Sequence, residues 1–252
     1  MTEFWFIRHG ESQSNVGLSA KADHSTPLTK RGELQSQYIA EYIIHPPDLF
    51  VISPYLRAIQ TAEPTLLKFP EIPKQTWPIQ EFSYLSHQQY HNTDSKQRGV
   101  LSRSYFKQAD PSLILGDGGE SFNQFIHRIE NCLMRISNLE NDRIILFGHG
   151  WFMRAMLWYL LRHQTSKTDH MAFLQQIQTI LPSLPFVLKL FSLSEKFRAK
   201  KMFSFLLFSA GVQIPNGGIL KFNSKNGGSA ELLGFDLSHL PSNLIEITWR
   251  NR

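Results

Sequence analysis

The chain has 252 residues, of which 42% are hydrophobic and 19% charged, a composition that excludes a disordered or low-complexity protein and can fill a sizeable core. The formal net charge is +5, but the excess is local: residues 162–212 hold seven Lys or Arg against two acids, and the rest is balanced. Cys132 is the only cysteine, so no intrachain disulfide can form, and its helical apolar neighbours mark it as a core residue. Arg8 and Glu11 end the N-terminal apolar run far short of a secretory h-region, and no stretch is long and apolar enough to span a bilayer. A cytoplasmic protein with no nucleic-acid partner is expected.

The elements read in chain order. Phe4 to Ile7 predicts a buried strand, and Arg8-His9-Gly10-Glu11-Ser12 follows it without a break. A polar loop runs to Pro27. Thr29 is the expected N-cap of a helix reaching about Ile44, with Leu34, Tyr38, Ile39 and Tyr42 on one face. Pro46-Pro47 stops it. Leu49 to Ile52 is a second strand. Ser53 is then expected to cap a second helix, with Pro54 at its first position. Phe82 to Asp117 has weak periodicity and predicts short helices and loops over the rim of the sheet. Gly116 to Ser121 is a turn that opens the helix of Phe122, Phe125, Ile129, Cys132 and Ile136.

Ile144 to Phe147 repeats the first pattern, a strand followed by Gly148-His149-Gly150, and leads into a helix through Met153, Met156, Leu157 and Leu160. Arg162 to Val212 is apolar and basic, broken by Pro182 and Pro185. Strands return at Ile219 to Phe222 and Glu231 to Phe235, after Pro215-Asn216-Gly217-Gly218. Alternating strands and helices predict an α/β fold: a three-layer α/β/α sandwich with a mostly parallel central sheet, one domain carrying a helical insert at about 162–212.

Reactive groups at strand ends in such a sheet converge on one rim, where these folds place their ligand sites. Arg8, His9, Arg57 and His149 all fall there. Two guanidiniums grip a phosphate through fork-shaped hydrogen bonds. A neutral imidazole beside them can attack phosphorus if its other nitrogen is held by a hydrogen bond. Neighbouring cations would keep that histidine neutral. A second histidine, protonated, would neutralise charge on the equatorial oxygens.

The ordered motifs resemble those of the histidine phosphatase superfamily, in the branch related to cofactor-dependent phosphoglycerate mutase. Arg8 to Ser12 with Asn15 matches the family's first signature. Pro27-Leu28-Thr29 with Gly32, Ser53-Pro54 to Ala62, Gly118-Gly119-Glu120-Ser121 and Gly148-His149-Gly150 match later ones. Pro215-Asn216-Gly217 resembles the family's late turn. Tyr55 stands where leucine is usual. The resemblance implies that His9 becomes phosphorylated, that Arg8, Arg57 and His149 form the phosphate pocket, and that Asn15 lines it. It also implies that Glu81, after a third strand, protonates the leaving group. A general acid needs a proton at neutral pH, and an apolar neighbour such as Phe82 favours it.

Departures narrow the expectation. Gly150 stands where the acid-phosphatase branch has Asp. Glu81-Phe82-Ser83-Tyr84-Leu85 stands where the mutases have Glu-Arg-His-Tyr-Gly. The missing arginine should weaken retention of a bisphosphate, so water discharges the phosphohistidine. A metal-independent phosphomonoesterase acting on a small phosphorylated metabolite is expected, with no cofactor and no metal. The alternative is a phosphatase-like binding domain whose working surface is the 162–212 segment. His87, His91, Tyr84, Tyr90, Arg98, Arg103 and Lys107 could face the leaving group. The 162–212 segment has three readings: a lid beside the site, a homodimer contact, or reversible contact with an anionic membrane surface.

Overall fold

A computed structural model describes residues 2–18, 24–91, 93–163 and 201–245. Six strands form one mixed sheet: β1 (Glu3–Arg8), β2 (Leu49–Ile52), β3 (Lys74–Thr76), β4 (Arg143–Gly148), β5 (Ile219–Lys225) and β6 (Ser229–Asp236). Their order is β3-β2-β4-β1-β5-β6. The first four run parallel, and β5 and β6 add an antiparallel edge beside β1.

Alternation along the strands makes the layers. Phe4, Phe6, Leu49, Val51, Ile144 and Leu146 enter one core, while Trp5, Ile7, Phe50, Ile52, Ile145 and Phe147 enter the other. The second core is covered by α1 (Lys30–Tyr42) and α2 (Leu56–Lys68), through Ile39 and Ala62. The first, larger core is covered by α5 (Phe122–Ser137), α6 (Gly150–Arg162) and α7 (Lys201–Gly211). Between β3 and α5 lie the short α3 (His87–Tyr90) and α4 (Ser95–Gln108). Among the described residues, no helix is long and apolar enough to cross a membrane.

Two local expectations are corrected. The buried face of α1 is Gly32, Gln35, Ser36, Ile39 and Ala40, while Leu34 is exposed. Small and polar residues face inward there because α1 packs on the loop after β1, where an apolar side chain has no room. Ser53 does not cap α2: the N-cap is Tyr55, with no side-chain cap bond. Thr29 does cap α1, accepting from the Gly32 amide, and α5 opens on a capping box of Ser121 and Gln124.

Only the ends of the 162–212 segment are described. Residues 164–200, with Lys167, Lys189, Lys196, Arg198 and Lys200, lie outside the described residues, as do the lid, dimer and membrane readings that rest on them. At the described end, α7 buries Met202, Phe205 and Phe208 in the main core, with Phe205 against Phe122, Trp151 and Trp158.

The approach of α1 to the first loop is close. A Cβ on Gly32 would lie 2.1 Å from the Glu11 carbonyl oxygen, and one on Gly10 would lie 2.5 Å from the Gly32 oxygen. Helix propensity alone favours alanine over glycine in α1 by about 1 kcal/mol. The contact reverses the sign. Gly32→Ala should destabilise the protein by about 1–3 kcal/mol, read as a lowered denaturation midpoint. An unchanged or raised midpoint would contradict this packing.

Candidate active site

Strand register builds the site. Arg8 on β1 lies opposite Gly148 on the neighbouring β4, and the His9 amide donates to the Gly148 carbonyl at 2.9 Å. His9 and His149 therefore leave adjacent strand ends together, and their ring centroids are 5.2 Å apart. β2 ends beside them, and the Ser53 amide donates to the Phe147 carbonyl at 3.0 Å. His9, Arg57 and His149 are all buried.

His9 has a defined tautomer. Nδ1 lies 2.6 Å from the Gly10 carbonyl oxygen, which can only accept, so Nδ1 carries the hydrogen. Nε2 then has a lone pair, and Arg57 Nε donates to it at 3.2 Å. Burial, then Arg57 and Arg8, push the His9 pKa well below its ordinary value. Arg57 is seated by a chain of bonds. The Gly10 amide donates to Thr61 Oγ1 at 2.9 Å, and Thr61 Oγ1 donates to the Arg57 carbonyl at 2.6 Å. Thr61 thus locks α2 to the loop that carries His9.

Arg8 crosses over the start of α6. A Cβ on Gly150 would lie 3.1 Å from Arg8 Nε, so an aspartate here would crowd the guanidinium. Arg8 Nη1 donates to the Ile214 carbonyl. Its pKa is lowered to about 10, by burial first and then by Arg154, with Glu81 opposing and Arg57 adding to the shift. Arg154, one turn into α6, donates to the Gly150 carbonyl at 3.0 Å and to the Ser209 carbonyl at 3.1 Å. The segment 209–214 therefore holds two of the site's arginines.

His149 sits at the N-cap of α6. Its Nε2 is 2.7 Å from Ser53 Oγ, which is what occupies the serine expected to cap α2. Burial, then Arg57, His9, Arg128 and Arg8, push the His149 pKa well below its ordinary value. The expectation of a protonated His149 is thus not met by the surroundings of the imidazole itself. His149 Nδ1 and Arg8 Nε are buried without a hydrogen-bond partner among the described residues.

Glu81 is half-buried, and its Oε1 accepts the Trp151 amide in the first turn of α6 at 2.8 Å. A clamp holds this loop. Arg128 donates to the Pro78 and Gln80 carbonyls at 2.8 and 3.1 Å, and its Nε bonds Glu120 Oε2 at 2.9 Å. Glu120 Oε1 accepts the Ser83 amide at 3.0 Å. Glu120 belongs to the Gly118 to Ser121 motif, whose reading from sequence, as a turn, a helix start and a family match, gave this carboxylate no role.

Asn15 joins the same loop. Its Oδ1 accepts from the Ser12 amide and hydroxyl, both at 2.9 Å, and from Asn216 Nδ2 at 3.2 Å. Asn216 Nδ2 also donates to the His9 carbonyl at 3.0 Å. Next to His149, across the Tyr55 ring, opens a cleft whose walls include His24, Tyr55, Phe82, Tyr84, His87 and Tyr90. His91 is exposed, and Arg103 and Lys107 are exposed on α4 and do not line the cleft. Arg98 is buried, donating to the Thr93 carbonyl and to Ser14.

Sequence reasoning missed Ser53 as a partner of His149, the Glu120–Arg128 clamp, and Arg154. The Ser-Pro pair carried a stronger capping signal than a side-chain role. The clamp joins Ser83 to Glu120 and Gln80 to Arg128, 37 and 48 residues apart, which no local pattern reports. Arg154 lies four residues after Gly150, and that helical spacing could have found it.

A profile of the histidine phosphatase superfamily (branch 1) matches residues 4–180. The chain belongs to the histidine phosphatase superfamily. Among its relatives is the adenosylcobalamin/alpha-ribazole phosphatase of Escherichia coli, 30% identical over 161 residues, which are 62% of this chain and 78% of the relative. The alpha-ribazole phosphatase structure from Shigella flexneri aligns with TM-score 0.62 at 20% identity, covering 94% of this chain and 96% of that one. The Entamoeba histolytica phosphoserine phosphatase structure aligns with TM-score 0.61 at 17% identity, covering 96% and 100%. At these identities the two structures show a shared fold.

The two histidines also tie stability to pH. In the unfolded chain they take up protons near pH 6.5, and in the folded histidine phosphatase they resist doing so. Below pH 6.5 the unfolded state binds more protons, so stability falls as pH falls, by up to about 1.4 kcal/mol per pH unit for each histidine. The midpoint of thermal unfolding should drop more steeply between pH 6.5 and 5 for the wild type than for His149→Gln. Parallel curves would contradict the buried neutral imidazole.

Proposed function

We propose that this histidine phosphatase is a metal-independent phosphomonoesterase that acts on a small phosphorylated metabolite through a phosphohistidine at His9. The observation that carries this reading is the pairing of His9 Nδ1 with the Gly10 carbonyl, which leaves a neutral, buried Nε2 as nucleophile against Arg57. Nε2 attacks phosphorus as the ester P–O bond breaks. The hydrogen stays on Nδ1, donated to the Gly10 oxygen, and this bond steadies the imidazolium that forms. Arg8 and Arg57 hold the phosphoryl oxygens, and the N-terminus of α6 adds its dipole. His149 Nδ1 and Arg8 Nε, both buried and without a partner among the described residues, suit phosphoryl oxygens as partners. His149 takes up its proton with the incoming anion, since its surroundings disfavour a charge of its own. Asn15 braces the loop.

Glu81 gives its proton to the departing alkoxide. Water then attacks the phosphohistidine and returns a proton to Glu81, releasing phosphate and neutral His9. His9→Ala should lower kcat by at least about 1,000-fold, and excess chelator should leave the wild type unaffected. Full activity in the variant, or restoration by Mg²⁺ after chelation, would overturn the mechanism. A wild type that binds phosphate esters and turns none over would instead be a binding domain.

Glu81→Gln should slow alkyl phosphates far more than 4-nitrophenyl phosphate, whose leaving group needs no proton. Glu120→Ala, which frees the Glu81 loop from its clamp, should show the same bias more weakly. Equal losses on both ester types would move the proton donor elsewhere.

Hydrolysis is favoured over mutase transfer by the residue after Glu81. Phe82 is buried and stacked on Phe125 at 4.4 Å, so this position offers a second phosphate no cation. In a coupled assay primed with 2,3-bisphosphoglycerate, interconversion of 2- and 3-phosphoglycerate should be negligible. Efficient interconversion would contradict this assignment.

A further inference from the structure

Tyr55 stands in the segment that carries Arg57, at a position where the resembling family has leucine. Its ring lies between two chemistries. On one side are the phosphate-pocket groups: the Arg57 guanidinium is 5.0 Å from the ring centroid, and the His149 ring meets it edge-on at 5.3 Å. On the other side the same ring lines the cleft, with Phe82, Tyr84 and Tyr90.

The hydroxyls are engaged with the protein. Tyr55 Oη pairs with Ser83 Oγ at 2.9 Å, and Tyr90 Oη with Ser14 Oγ at 3.1 Å. Ring faces and edges are what these side chains have left to offer a ligand. The walls are braced from behind: Phe82 stacks on Phe125 at 4.4 Å, and Tyr84 packs on Tyr105 and Trp151 at 5.5 and 6.2 Å. Among the described residues that line the cleft, none is Asp, Glu, Lys or Arg, and its two imidazoles, His24 and His87, meet edge-on at 6.3 Å. Arg98, over the face of Tyr90 at 4.9 Å, is already bonded to Thr93 and Ser14.

A charged leaving group would lose water here and gain no fixed counter-ion, with only the His24 and His87 imidazoles to answer an anion. A flat, uncharged ring would gain stacking against a rigid aromatic wall. We infer that the leaving group of the substrate is an uncharged aromatic or heteroaromatic ring system close to the ester oxygen, and that Tyr55 is the residue that selects it. This rests on the phosphatase reading, and deepens it by naming the substrate class.

The test compares 2-phenylethyl phosphate, glycerol 3-phosphate and 3-phosphoglycerate, three esters of unactivated alcohols. In the wild type, kcat/KM for 2-phenylethyl phosphate should exceed that for glycerol 3-phosphate by about tenfold or more, with 3-phosphoglycerate poorer still. Tyr55→Leu should cut the ratio of the first two about fivefold, chiefly through KM. A wild-type ratio near one, or an unchanged ratio in a folded Tyr55→Leu protein, would overturn the inference. Calorimetry on His9→Ala, which lacks the proposed nucleophile, reads the cleft without turnover. Tighter binding of 2-phenylethyl phosphate than of glycerol 3-phosphate supports the inference, and equal binding overturns it. Selective binding by a wild type that hydrolyses no ester would overturn the phosphatase reading alone.

Discussion

The pairing of β1 with β4 is the constraint on which the site depends. Arg8 lies opposite Gly148 in a parallel register, so the residues that follow, His9 and His149, leave the sheet at the same height. A slip of one residue would turn each side chain to the other face. The slip is prevented because alternate residues of both strands are committed to two different cores. The hydrophobic burial that stabilises the sheet thus also sets the distance between two imidazoles.

Placing cations and imidazoles in one buried cluster costs solvation. Carbonyl groups and close backbone approaches offset part of it. Ile214 and Ser209 accept from Arg8 and Arg154, Gly10 accepts from His9, and Gly150 leaves room for Arg8. The charge that remains is positive. Both histidines answer by staying neutral, and Arg8 by a lowered pKa. Such a site favours an incoming dianion, because the anion removes the repulsion that the fold sustains.

Much of this was legible in the sequence. The strands ending at Arg8, Ile52 and Gly148 are short apolar runs, and their glycine-flanked ends named Arg8, His9 and His149 before any coordinates. Arg57 followed from its place just after the second strand. What escaped was set by tertiary contact. Ser53 obeyed the local rule for a cap, but the proximity of His149 gave it another partner. Leu34 fits the same helical apolar face as Ile39 and Tyr42, yet the close approach of Gly32 to Glu11 leaves Leu34 outside the buried face. The Glu120–Arg128 clamp ties two distant segments, 78–83 and 120–128, so no window of sequence contains it.

The central claim is a covalent bond between phosphorus and His9, and it can be observed directly. Wild-type protein mixed with a ³²P-labelled phosphomonoester, quenched in alkali on the millisecond scale and mapped by peptide mass spectrometry, should carry an acid-labile, alkali-stable phosphoryl group on His9. The group should form and decay at least as fast as turnover. Steady release of phosphate with no labelled protein at any quench time, or label on a residue other than His9, would contradict the account.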